Sequence, residues 1–319
     1  MIMAQKIPCL LFALIFLGIS QPAVEAQEIR VESALVAVPT IVSDAQGRFI
    51  PGLNAESFKL FQDREEEKIS LFLTSDDPCK IVLLLDTSIS TTTVLSKIKK
   101  AAKRFLRQMR PQDMAMVVSF DSDVRILCRF SSSRNELEDA IDKAKSSGLY
   151  TRLRDAIVDV QNRLRSIAGR KAIVLLTDGD DHNSAVSTEE LRNVILSSGA
   201  LIYSIFYHID MQEWMEKLGD QPFPRTKESD PEWIKQEKEA AQYLQEISEL
   251  SAGRFYRSKV TEFDQAFRQI SDELHAQYLL GFYPNESKLD GKLHSLEVQV
   301  NTPGAVVRSR RNYRSTANH

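Results

Sequence analysis

Two apolar runs that each stop at an aspartate constrain this chain more than any other feature. Ile81-Val-Leu-Leu-Leu85 ends at Asp86, and Ala172-Ile-Val-Leu-Leu-Thr177 ends at Asp178. A run without polar alternation suits a strand buried on both faces, which is the habit of parallel sheets. After the first run, Val94, Ile98, Ala101, Phe105 and Met109 fall at helical spacing until Pro111. Met114–Phe120 reads as a second strand. Asp121-Ser122-Asp123 turns it back into Val124–Phe130 as an edge strand. Capping-box pairs at Ser133/Glu136 and Ser187/Glu190 open two more helices. Leu153–Ile167 marks another helix, and Leu201–Phe206 another strand. The alternation predicts a doubly wound, mostly parallel α/β sheet with helices on both faces. Residues 208–234 break the rhythm and read as an insertion loop, with a short helix expected at Met211–Leu218. A helix over Trp233–Ser251, a strand at Arg254–Tyr256 and a helix from Thr261 complete the block, which spans residues 78–277.

The flanks look different. Residues 27–77 and 278–319 carry short alternating strands, among them Ile29–Val38, Phe58–Phe61, Ile69–Leu73, Tyr278–Tyr283 and Leu293–Val300. The acidic stretch Asp63–Glu67 reads as the turn joining Phe58–Phe61 to Ile69–Leu73. Neither flank is long enough to bury a good core alone. The simplest expectation is that they pair into one small sandwich-like all-β domain, with the α/β domain inserted between its halves. Two independent appendages are the alternative. Both chain crossings should then lie at the sheet end opposite Asp86. Arg308, Arg310, Arg311 and Arg314 form a basic run that reads as a solvated edge guarded against pairing, or as a surface for acidic glycan or phosphate.

The first 26 residues have the three-part pattern of a signal peptide. Lys6 precedes the apolar run Leu10–Ile19, and Val24-Glu25-Ala26 offers a cleavage site before Gln27. The run is about ten residues, against about 20 needed to span a bilayer; an uncleaved anchor is the alternative. A cleaved leader implies a secreted or periplasmic protein with no membrane span. Lys and Arg number 41 and Asp and Glu 44, a net charge of −3, so nothing draws the chain globally to nucleic acid. Cys79 and Cys128 remain in the mature chain, either bridged or free.

Ligands of open α/β sheets bind beyond the carboxyl ends of strands. There the sequence offers Asp86-Thr-Ser88-Ile-Ser90 and Asp178-Gly179, with Gly148-Leu-Tyr-Thr151 opening a helix between them. Two carboxylates and three hydroxyls form an all-oxygen donor set, suited to Mg²⁺, Ca²⁺ or Mn²⁺. Either serine alone could instead cap the helix expected near Thr92. Asp180, Asp181 and His182 read as a solvated loop, or as support beside the ion.

Asp86-Thr-Ser-Ile-Ser90, Thr151 and Thr177-Asp178-Gly179 together resemble the metal-ion-dependent adhesion site of von Willebrand factor type A domains, a Rossmann-like fold. Val118-Ser-Phe-Asp-Ser-Asp123 and Leu153-Arg-Asp-Ala-Ile157 extend the resemblance. The flanking motifs Val38–Asp44, Pro51–Leu53 and Leu280–Pro284 are similar to secreted bacterial proteins called VWFA-related, best known from Acidobacteria. The resemblance implies that Ser88, Ser90 and Thr151 place oxygens on a cation, Mg²⁺ foremost. Asp86 and Asp178 would bind it directly or through waters. A partner protein's Asp, Glu or terminal carboxylate would take the open position. Ile89 stands where relatives often have Gly, and Leu149-Tyr150 where they often have small residues.

Catalysis is not expected. The five histidines show no triad or metal spacing, the position two residues after Asp86 is Ser88, and no Gly-x-x-x-x-Gly-Lys loop is present. The expected function is cation-dependent protein binding. A structural envelope protein that binds independently of metal is the alternative.

Overall fold

The computed structural model describes residues 35–148, 150–207 and 231–315. The expected signal peptide, the body of the insertion loop with its short helix, and Leu149 lie outside the described residues. The loop's last positions do not: Pro231–Leu250 is already helical.

The long apolar runs form the centre of a six-stranded sheet. Strands β5 (Cys79–Asp86), β6 (Met114–Phe120), β7 (Val124–Ser131), β8 (Arg170–Thr177), β9 (Leu201–Tyr207) and β10 (Phe255–Ser258) take the order β10-β9-β8-β5-β6-β7. Every neighbouring pair is parallel except β6 and β7. Side-chain alternation explains why β5 must be apolar throughout. Ile81, Leu83 and Leu85 pack with helices α1 (Leu95–Leu106), α2 (Arg134–Lys143) and α6 (Phe263–Leu274). Val82 and Leu84 pack with α3 (Leu153–Arg165), α4 (Thr188–Ser197) and α5 (Pro231–Leu250) on the other face. The winding runs outward from β5 to β6 and then returns to β8 on its other side. The crevice where the order reverses therefore opens above the carboxyl ends of β5 and β8.

The flanks pair with each other in both remaining sheets instead of standing apart. β1 (Val36–Ser43), β2 (Phe58–Gln62), β3 (Glu65–Glu67) and β4 (Leu71–Leu73) come from one flank. β11 (Tyr278–Phe282), β12 (Leu293–Val300), β13 (Val306–Ser309) and β14 (Asn312–Arg314) come from the other. They form antiparallel sheets of order β13-β1-β11-β4 and β14-β12-β2-β3. Val38 stands opposite Leu280, and Leu60 opposite Val298, so the central strand pairs of both sheets join the two flanks. One shared apolar core, including Val38, Leu60, Leu280, Phe282 and Leu296, fills the space between the sheets.

Two local expectations change. The hairpin partner of β2 is the acidic strand β3, not Ile69–Leu73, because the turn is only Asp63-Arg64. Both residues have positive φ (49° and 72°), the geometry of a tight hairpin. β4 then crosses to the other sheet and pairs with β11. Within the basic run, Arg311 is exposed, but Arg308 and Arg310 are neither solvated nor free to meet an acidic surface. Arg308 donates to the carbonyls of Ala252 (2.7 Å) and Gly253 (2.6 Å) just past α5, and pairs with buried Glu273 of α6. Arg310 is buried and donates to Leu196 and Ser198 at the end of α4. Cations near helix carboxyl ends also meet the favourable end of the dipole. These arginines fasten the β sheets to the helices.

Arg170, at the start of β8, is buried at the chain crossings. It donates to the carbonyls of Ser75 (3.1 Å), Asp77 (2.7 Å) and Leu274. Both crossings thus gather at the amino end of the parallel sheet, and Asp86 lies at its other end. Cys79 and Cys128 are both free, so the bridged alternative falls away.

Candidate functional site

The carboxylate of Asp86 is fully buried where β5 leaves the sheet. Its Oδ1 accepts hydrogen bonds from the Ser88 amide (2.9 Å) and hydroxyl (2.6 Å), and its Oδ2 accepts one from the Thr177 hydroxyl (2.7 Å). Ser88 and Ser90 hydroxyls are 2.9 Å apart. Ser88 precedes a 3₁₀ turn over Ile89–Thr91 but makes no side-chain cap bond to it, because its hydroxyl is committed to Asp86. The capping alternative for Ser88 therefore does not hold.

Burial raises the Asp86 pKa well above the ordinary carboxylate range, and the nearby charge of Asp178 raises it further. The bonds from Ser88 and Thr177 only partly oppose this. Among the described residues, no Lys, Arg or His forms an ion pair with Asp86. Its neighbour Asp121 shows the contrast. That carboxylate is equally buried, but Arg125 grips it with contacts of 2.8 and 2.9 Å, and the net shift is downward despite the cost of burial.

The three loops are knitted by their backbones. Ser88 bridges to Gly148, and the Ser146 hydroxyl donates to the Ser88 carbonyl at 3.0 Å. The His182 amide donates to the Thr151 carbonyl at 2.8 Å, and the Arg152 amide to that of Asp121 at 3.0 Å. Thr151 itself is nearly buried. The five predicted positions thus divide. Asp86, Ser88 and Ser90 are joined by hydrogen bonds. Asp178 is half-buried and acts on Asp86 through its charge. Thr151 shares the rim through its backbone, and among the described residues no hydrogen bond joins its hydroxyl to Asp86, Ser88 or Ser90.

Several residues beyond the predicted five shape this place. Thr177 holds Asp86 and also accepts the Gly179 amide at 3.0 Å, fixing the turn in which Gly179 has a φ of +83°. Its position beside Asp178, on the strand next to β5, was the available signal. Asp121 presses so close to Gly148 that an added Cβ there would stand 2.6 Å from its Cγ, so this loop needs glycine. The Tyr207 hydroxyl at the end of β9 is fully buried and has no hydrogen-bond partner among the described residues, and Asp86 and Asp178 add to the burial that raises its pKa. No sequence signal marked it. The 180–182 loop is only partly solvated: Asp181 accepts the Leu153 amide (3.3 Å) and the Ser184 hydroxyl (2.5 Å) and pairs with Arg154 at 3.2 Å. Asp180 and His182 are exposed.

The donor chemistry fits a hard divalent cation. A buried carboxylate without a cationic side chain, a second carboxylate close enough to repel it, and three hydroxyls are oxygen donors throughout. Among the described residues, no group of three or more His, Cys, Asp or Glu is placed to hold a metal.

No curated protein matches the chain. Among solved structures, a von Willebrand factor type A protein from Catenulispora acidiphila is 12% identical, covering 83% of this chain and 76% of that one, with a TM-score of 0.48. An aerotolerance-related membrane protein from Bacteroides fragilis is 18% identical, over 61% of this chain and 98% of that one, at 0.47. The corresponding domain of the type V pili tip protein Mfa5 from Porphyromonas gingivalis is 13% identical, over 62% and 95%, at 0.45. The family model described as von Willebrand factor type A domain matches residues 81–180, the stretch that runs from the first apolar strand through Asp86, Thr151 and Asp178. Over those residues, about a third of its length, the chain is similar to the von Willebrand factor type A domain family.

Proposed function

We propose that this protein is a secreted or periplasmic module that binds another protein through a divalent cation. Asp86, Ser88, Ser90, Thr151 and Asp178 would hold the ion, Mg²⁺ foremost, with Ca²⁺ and Mn²⁺ as alternatives. The ion would supply a positive charge with an open coordination position for the partner's carboxylate. The observation that carries this reading is the state of Asp86: fully buried, oriented from both sides by Ser88 and Thr177, repelled by Asp178, and without an ion pair from any described side chain. Neutralising two carboxylates is what a +2 ion does best. The location rests on the leader-like residues 1–26. Among the described residues no helix is long and apolar enough to cross a membrane. No residue is assigned a catalytic role.

Capture of envelope proteins on the immobilised chain tests the reading. Partners should be retained in Mg²⁺, released by chelator, and absent with Asp86→Ala whose circular dichroism is unchanged. Capture that ignores both chelator and Asp86→Ala would instead support a structural envelope protein that binds without metal.

A further inference from the structure

The surface around the strand-end site is not evenly polar. Ile89, between Ser88 and Ser90, is 54% exposed, and Tyr150, next to Thr151, is 53% exposed. They are two of the six large apolar side chains left exposed among the described residues, and none of the other four adjoins a candidate donor. Single exposed apolar residues are ordinary. Here two stand on neighbouring segments of one rim. The Ser88–Gly148 bridge, the Ser146 bond to the Ser88 carbonyl, and a Thr92–Ser146 hydroxyl contact of 3.0 Å lock these segments together. The Tyr150 amide is also held, by the Ser122 hydroxyl at 3.2 Å. Both side chains are thus presented to solvent by tied backbone.

The rim also carries exposed Asp180 and His182, 3.8 Å apart, with the His182 amide bonded to the Thr151 carbonyl. Were Asp86 and Asp178 to share one +2 ion, as proposed above, Asp180 would add a negative charge beside it and disfavour a further one.

Resting on the cation reading above, we propose that the site takes a protein segment with a single Asp or Glu flanked by a large apolar residue. The carboxylate would fill the open position, and its neighbour would cover Ile89 and Tyr150. A polyacidic tract would be repelled at Asp180. A segment whose acid stands among small polar residues would leave the apolar side wet.

A phage-displayed random heptapeptide library, panned on the full chain in Mn²⁺ and eluted with chelator, tests this. Eluted sequences should be enriched in Asp or Glu. Large apolar residues beside that acid should be enriched about ten-fold over the library, as expected for covering part of an apolar side chain. The double variant Ile89→Ser/Tyr150→Ser should keep its circular dichroism, its Mn²⁺ binding by calorimetry and its preference for an acid. Its apolar enrichment should fall to library level. Acid enrichment without apolar neighbours, or apolar enrichment unchanged in the double variant, would overturn the proposal while leaving the cation reading standing. Eluates with no acid enrichment would overturn both.

Discussion

Asp86 closes one β-strand and Asp63 follows directly on another, and the molecule treats them in opposite ways. Asp63, in the tight turn after β2, is surrounded by cations of the chain's own making. It accepts His294 Nδ1 at 2.8 Å, Lys288 Nζ at 3.1 Å and the Ser295 amide at 3.0 Å. His294 reaches Asp290 with its other nitrogen at 3.0 Å. An imidazole that donates to a carboxylate from both nitrogens is held as imidazolium. Burial alone would raise the Asp63 pKa, but His294, Ser295 and Lys288 carry it well below the ordinary range. Burial would likewise lower that of His294, and the two carboxylates raise it instead. Asp86 has hydroxyl and amide donors but no cation, and its pKa goes up. One carboxylate is electrostatically complete within the β domain. The other, at the end of the parallel sheet, meets no cationic side chain among the described residues. Asp121, a neighbour of the second site, sides with the first by recruiting Arg125. The shortage is therefore local to Asp86, at the strand end of β5.

The same chemical change should then have opposite signs in the two places. Asp63→Asn puts an amide against Lys288 and His294 and should cost about 2 kcal/mol in urea unfolding at neutral pH, because it strands a half-buried charge cluster. Asp86→Asn in chelator should cost nothing or stabilise. It removes a buried uncompensated charge, and the hydroxyls of Ser88 and Thr177 can accept as well as donate. Equal losses in both variants would break the comparison.

A smaller effect should appear with pH. The raised pKa of His294 means that its stabilisation is fully present below about 6.5, the unperturbed value. It is lost as pH rises through the folded value. Denaturant midpoints measured upward from pH 6 should decline in the natural chain, and His294→Gln should flatten that component. The decline would be absent if His294 were held neutral.

Smallest of the three is Thr177→Val. It deletes the donor to Asp86 and the acceptor of the Gly179 amide at nearly constant volume, and should weaken Mn²⁺ binding at least about five-fold, the worth of one hydrogen bond, without altering Asp63 or its partners. An unchanged affinity would mean that Thr177 does not orient the carboxylate for an ion.

How much of this was legible beforehand follows from the range of the interactions. The parallel sheet was readable because burial on both faces writes itself into unbroken runs such as Ile81–Leu85. Asp86, Ser88 and Ser90 were readable because their partners lie within a few positions of one another. The flanks' mutual pairing followed from what neither could bury alone. The Asp63–His294 contact was not readable, since 231 positions separate the two residues and neither belongs to a motif. Arg308 and Arg310 were misread for the same reason. Charged residues near a chain end look solvated until the helix ends they serve, at Ala252, Gly253, Leu196 and Ser198, are brought to them by folding. The Asp63-Arg64 turn escaped because neither residue signals positive φ as glycine would.

The central claim is that the strand-end site lacks a cation which the β-domain cluster already has. Isothermal titration of the full chain with Mg²⁺, and with Mn²⁺ as a second ion, tests it most directly. The account predicts one site per chain, absent in Asp86→Asn with unchanged circular dichroism, and fully retained in Asp63→Asn under conditions where that variant is folded. No heat of binding from the natural chain, or the same single site persisting in Asp86→Asn, would contradict it.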